Sequence, residues 1–141
     1  MLDLNSDLLL KVSNIAIQAG SEIMKYYPAD NEIITKVDNS PLTQADLSSN
    51  NLIIKELRKI NQRTSILSEE SLVDWVERKQ WNQYWLIDPL DGTKEFINKS
   101  GEFTVNIALI EQHKPVLGII YVPTKSLLYF AKKNYGAFKI F

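Results

Sequence analysis

Three apolar runs follow Gly101 in close succession: FTVNIALI (103–110), VLGIIYV (116–122) and LLYFA (127–131), joined only by EQHKP and PTKS. Short runs rich in β-branched and aromatic residues read as strands. Connections too short to hold a crossover helix restrict these strands to an antiparallel meander. Their alternating positions are apolar on both sides, with Leu117, Ile119 and Tyr121 set against Val116, Ile120 and Val122. A sheet patterned this way needs packing on both faces.

Two upstream segments offer cover for one of them. Leu8, Val12, Ile15, Ala19 and Ile23 recur at helical spacing between Asn5 and Tyr27, and Pro28 closes the segment. After the turn-rich KVDNSPLTQAD (36–46), Leu47, Ile53, Ile54, Leu57 and Ile60 mark a second helix, and Thr43 and Asp46 have the spacing of an N-cap and its N3 partner. What covers the other face is not written in the sequence. The expected class is α+β: a layered helix/sheet sandwich with two helices on a largely antiparallel sheet. At 141 residues the chain has the length of one domain with a real core.

Between helices and meander lie two further strand-like runs, Thr64 to Ser68 and Tyr84 to Ile87, and both end in acid: Glu69-Glu70 after the first, Asp88-Pro-Leu-Asp91 after the second. Asp-Pro and Asp-Gly are common turn formers, which is the plain reading of the second stretch. Side by side, however, the two strand ends would gather Glu69, Asp88 and Asp91, and carboxylates so gathered repel unless a cation neutralises them. With no cysteine and only His113, the chain offers no thiolate or multi-histidine site, so a metal here takes oxygen ligands, and Mg²⁺ is the natural choice. Gly92-Thr93 follows directly. If Asp91 caps a short helix running through Phe96, free backbone N–H groups there would face an anion such as phosphate.

The motif DPLDGTKEF, the upstream LSEES (67–71) and the NSPLTQAD segment together resemble the inositol monophosphatase superfamily of Mg²⁺-dependent phosphatases. Lys94-Glu95-Phe96, NSPLTQAD and GEFTVNIALI (101–110) are most similar to its 3'(2'),5'-bisphosphate nucleotidase branch. The resemblance implies that Glu69, Asp88, Asp91 and the Leu90 carbonyl are metal ligands, with Glu70 an additional acid of the metal site. It implies that Asp46 and Thr93 activate the attacking water, that the backbone from Leu90 through Asp91 and Gly92 to Thr93 cradles the phosphate, and that two or more Mg²⁺ ions bind. The implied reaction removes the 3'-phosphate of adenosine 3',5'-bisphosphate, a small phosphorylated nucleotide. It further implies a single domain over 1–141 that is the truncated N-terminal portion of the fold, its C-terminal domain absent together with a Trp-Asp metal ligand and most of the nucleotide-binding surface.

Three alternatives stand beside this reading. One is a non-catalytic or split-gene half that needs a separately encoded C-terminal partner or self-associates. The others are an inositol monophosphatase proper and a haloacid-dehalogenase-type phosphatase, suggested by LDGT, in which Asp88 would be a covalent nucleophile. The formal net charge of −1 argues against nucleic-acid backbone binding. The N-terminus shows neither a basic signal region nor a spanning run, so a cytoplasmic location is expected, with peripheral membrane association left open. Lys36 reads as a solvated loop residue, His113 as an exposed hairpin residue, and Trp75, Trp81 and Trp85 as packing residues; Asp38 and Ser40 receive no role.

Overall fold

The computed structural model describes residues 1–27 and 41–141, so Pro28, Lys36, Asp38 and Ser40 lie outside the described residues. Asn5 starts the first helix, α1 (Ser6–Met24): its backbone is extended and its Oδ1 accepts the Leu8 N–H at 2.8 Å. This satisfies one of the donors a helix start leaves open. Leu8, Val12, Ile15, Ala19 and Ile23, the residues that marked the segment as helical, are all buried. The second helix, α2 (Pro41–Ile60), starts two residues before Thr43. The expected capping box at Thr43 and Asp46 is therefore corrected, because both lie inside the helix, and proline at the first helical position is favoured since its missing N–H has no intrahelical partner to lose. Leu47 is 48% exposed; Leu42, Ala45, Ile53 and Leu57 carry the buried stripe instead.

Among the described residues six strands form one sheet in chain order: β1 (Ser65–Ser68), β2 (Gln83–Asp91), β3 (Thr104–Glu111), β4 (Lys114–Val122), β5 (Leu127–Lys132) and β6 (Gly136–Ile140). The β1–β2 pair is parallel and every other pair antiparallel, so the meander is as the short connections require. A short helix, α3 (Trp75–Arg78), lies in the β1–β2 connection, and α4 (Thr93–Ile97) follows β2. The turn between β3 and β4 has Gln112 and His113 both at positive φ, the geometry of a two-residue hairpin loop, and His113 is exposed there. Strand β6 escaped the sequence reading because all its residues are exposed and leave no burial period to detect.

One face of the sheet is covered. Helix α1 packs on β3, β4 and β5, while α2 packs on α1, β2 and α4. Trp85, Ile87, Ile107, Leu109, Leu117 and Ile119 point into this layer and are buried, and Tyr27, Phe96 and Phe103 close its end with mutual ring distances of 5.2–5.3 Å. The opposite face is open. Leu86, Ile120 and Tyr129 are 40–45% exposed, and the register row Leu86, Ala108, Gly118, Ala131, Ala137 forms the floor of a trough of about 710 Å³. A Cβ built on Gly118 meets nothing within 4 Å. The strand pattern asks for packing on both faces, and among the described residues only the helix side has it.

Helix α1 comes close to the sheet because Gly20 has no side chain. A Cβ there would lie 2.5 Å from Cε2 and 2.7 Å from Cδ2 of the buried Tyr121 ring. Gly20→Val should therefore lower stability by about 1–3 kcal/mol through overpacking, read as an earlier midpoint in urea unfolding; an unchanged midpoint would mean that α1 can shift without loss.

Candidate active site

Strand β2 does not end at Ile87, as the sequence suggested, but continues to Asp91 through an irregularity. Asp88 pairs with Asn106 and Asp91 with Thr104, so Pro89 and Leu90 together oppose the single residue Val105. This is a β-bulge, the setting in which a sheet tolerates an inner proline. In a regular strand, residues three apart point to opposite faces. The extra residue removes that inversion: Asn106 and Thr104 are two apart on one strand, so their partners Asp88 and Asp91 share a face, the open one. Leu90 is buried by its side chain, leaving only backbone to offer the site.

The parallel pairing places the second acidic group alongside. Ser68 is in register with Ile87, and the Glu69 N–H reaches the Ile87 carbonyl at 3.4 Å. Ser68 faces α2, so Glu69, one residue on, faces the side of Asp88. Two buried contacts from α2 hold both strand ends. Ser49 Oγ donates to the Pro89 carbonyl at 2.7 Å, and Ser68 Oγ donates to Asn50 Oδ1 at 2.6 Å while accepting the Glu70 N–H at 3.2 Å. Asp46 lies on α2 one turn before Ser49 and is 4% exposed. The site thus hangs on a helix that carries a candidate functional acid of its own.

Burial pushes the Asp88 carboxyl up to about 7, reinforced by a hydrogen bond with Glu69, the Glu69 charge and the Asp91 charge, against which the Leu90 N–H works. Among the described residues no cation acts on it. Asp88 Oδ1 is buried without a hydrogen-bond partner, an arrangement that disfavours a bare carboxylate and suits a metal ligand. The donor set of acids and backbone oxygen fits a hard divalent cation. Among the described residues, however, no three acidic or histidine side chains are drawn close enough to grip a metal ion. Glu69 and Asp88 are neighbours, and Asp91 stands close enough for its charge to act on Asp88 while its Oδ2 accepts a 3.0 Å bond from Asn106 Nδ2.

Helix α4 begins after Gly92, whose φ of 94° sits in the left-handed region and whose Cβ position lies 3.2 Å from the Glu102 carbonyl and the Phe103 Cα, so only glycine fits. The expected cap by Asp91 is corrected: Gly92 is the N-cap, no side chain caps the helix, and Asp91 is the last residue of β2. Thr93 is the first helical residue, and Glu70 is exposed beside Glu69. Trp85 is buried in the core and Trp81 packs on Tyr84, whereas Trp75 is 60% exposed under Arg78. Sequence reasoning missed Ser49, Asn50, Thr104 and Asn106. Their signal was present: polar residues on the buried stripe of α2, and two polar residues on alternate positions of an otherwise apolar strand.

Residues 5–140 match the model of the inositol monophosphatase family, and the chain belongs to it. Among its relatives, 3'(2'),5'-bisphosphate nucleotidase CysQ of Escherichia coli (strain K12) is 45% identical over 129 residues, which is 90% of this chain and 52% of that protein. The protein of the same name from Buchnera aphidicola subsp. Acyrthosiphon pisum is 47% identical over 126 residues, 88% of this chain and 48% of the relative. The crystal structure of CysQ from Bacteroides thetaiotaomicron superposes with a TM-score of 0.87 at 42% identity, covering 95% of this chain and 49% of that one. The chain therefore spans about half the length of the curated relatives it matches.

The raised Asp88 carboxyl sets a pH dependence. Its ordinary value is 3.8, so between about pH 4 and 7 the folded chain holds a proton that the unfolded chain has lost, and metal-free stability should fall as pH rises through that window and level off above it. Asp88→Asn should flatten this slope in urea unfolding followed across pH; an unchanged slope in the variant would contradict the assignment.

Proposed function

We propose that the chain carries the acidic side of a Mg²⁺-dependent phosphomonoesterase site whose substrate is a 3',5'-bisphosphorylated nucleotide of the adenosine 3',5'-bisphosphate type. The observation that carries it is the bulge at Pro89-Leu90, which turns Asp88 and Asp91 to one face beside Glu69, with a carboxylate oxygen buried and unpartnered. The relatives' name, 3'(2'),5'-bisphosphate nucleotidase, supports the substrate class. In this reading Glu69, Asp88, Asp91 and the Leu90 carbonyl hold Mg²⁺, with Glu70 available to a second ion. Bound there, Mg²⁺ supplies polarisation of the phosphoryl oxygens and a lowered water pKa.

The residues of the chain do the rest. Gly92 lets the phosphate approach the backbone without a Cβ in the way, and Thr93 orients the attacking water. Asp46 accepts its proton, held in place by burial on α2 one turn from the Ser49 contact to Pro89. Water oxygen bonds to phosphorus as the bond from phosphorus to the nucleoside 3'-oxygen breaks, and that oxygen takes a proton from solvent to leave as the hydroxyl, with no phospho-enzyme. The trough on the open face favours a second reading, in which turnover also needs a segment packed there, from a separately encoded partner or a second copy. Among the described residues no helix is long and apolar enough to cross a membrane.

Phosphate release from adenosine 3',5'-bisphosphate, with inositol monophosphate as control, tests this on the purified 141-residue chain. Release should require Mg²⁺ and prefer the nucleotide, and Asp46→Asn should lower kcat by about 10²–10⁴-fold, the usual worth of a general base. A folded chain that releases no phosphate overturns activity of the chain alone, and restoration by an added partner half would establish the second reading.

A further inference from the structure

Asparagine is depleted in strands, yet Asn106 sits in the middle of β3 between Val105 and Ile107, opposite Asp88. Its amide does not bond to Asp88. Nδ2 donates instead to Asp91 Oδ2 at 3.0 Å, diagonally across the pair, and Oδ1 accepts from Thr104 Oγ1 at 2.9 Å. The direction of this chain of bonds follows from its chemistry. An ionised carboxylate only accepts, so the amide must turn its NH₂ to Asp91; its carbonyl oxygen then faces Thr104, and only a hydroxyl donating there completes the arrangement. The carboxylate sets the direction of the amide, and the Thr104 hydroxyl, donating to its oxygen, holds the other end in place. We propose that Thr104 and Asn106 form an orientation relay that fixes the Asp91 carboxylate for divalent-cation binding.

The inference rests on the metal-site reading above and deepens it. The bond to Asn106 engages one carboxylate oxygen, so a cation is taken on the other, and the carboxylate rotamer is set before the ion arrives. The bulge makes the relay feasible, because without the extra residue Asp91 would face α2 and neither Thr104 nor Asn106 would reach it. Packing gives no reason for the pair: their face is the open one, where alanine or valine would serve equally well. Hydrogen-bond partners behind a metal ligand commonly tune affinity rather than fold.

The test is titration of the 141-residue chain with Mn²⁺, followed by the electron paramagnetic resonance of the free ion, for the parent, Asn106→Ala, Thr104→Val and Thr104→Ser. Asn106→Ala should weaken Mn²⁺ binding by about 10–100-fold, the range for removing such a partner, while the metal-free thermal midpoint stays near that of the parent. Thr104→Val should weaken binding less, and Thr104→Ser, which keeps the hydroxyl, should restore it. Parent-like affinity in both Asn106→Ala and Thr104→Val overturns the relay alone. No Mn²⁺ binding by the folded parent overturns the metal-site reading and the relay with it. Should Asn106→Ala fail to fold, the Thr104 pair decides: equal affinities in the valine and serine variants overturn the relay.

Discussion

Everything in the candidate site depends on the pairing of β1 with β2. It is the one parallel pair among the described residues, and it sets Ser68 beside Ile87 so that the residues that follow, Glu69 and Asp88, emerge together at the same end. A slip of one residue would turn every side chain of β1 to the other face, burying Glu69 against α2 and exposing Ser68. The register is secured from the helix side, where Ser68 and Asn50 form a buried bond, and from the sheet side by the Glu69 contact with Ile87. The bulge adds what pairing alone cannot, bringing Asp91 round to the face of Asp88.

Assembled in this way, the site is under electrostatic tension in the absence of a cation. Burial and two neighbouring acids act on Asp88 in the same direction and raise its carboxyl above the ordinary carboxylate range. The apolar layer between the helices and the sheet supplies the stability that tolerates it, and the contacts from Ser49 and Asn50 transmit that rigidity to the strand ends. The proposed metal site and the raised carboxyl therefore share a location, as is common where charges are gathered to receive a ligand.

Much of the architecture was legible in the sequence for identifiable reasons. The spacing of Val12, Ala19 and Ile23 gave α1, the short connectors gave the meander, and doubly apolar strands announced a second face in need of cover. The acids at both strand ends were visible, as was glycine after Asp91. The failures were local. The sequence could not reveal that β2 runs through Pro89, because a bulge depends on the count of residues on the partner strand. Nor could it place the start of α2, where Pro41 outweighs the Thr43/Asp46 pattern. It also missed Ser49 and Asn106, polar residues within otherwise apolar patterns whose partners, the Pro89 carbonyl and Asp91, lie far off in sequence.

The most direct test of the central claim is a crystal of the chain soaked in Mn²⁺ and measured at a wavelength where manganese scatters anomalously. The account predicts an anomalous peak bounded by carboxylate oxygens of Glu69, Asp88 and Asp91, with Asn106 still bonded to Asp91. A well-ordered, ion-free end of β1 and β2, or a peak held by other residues, would contradict it.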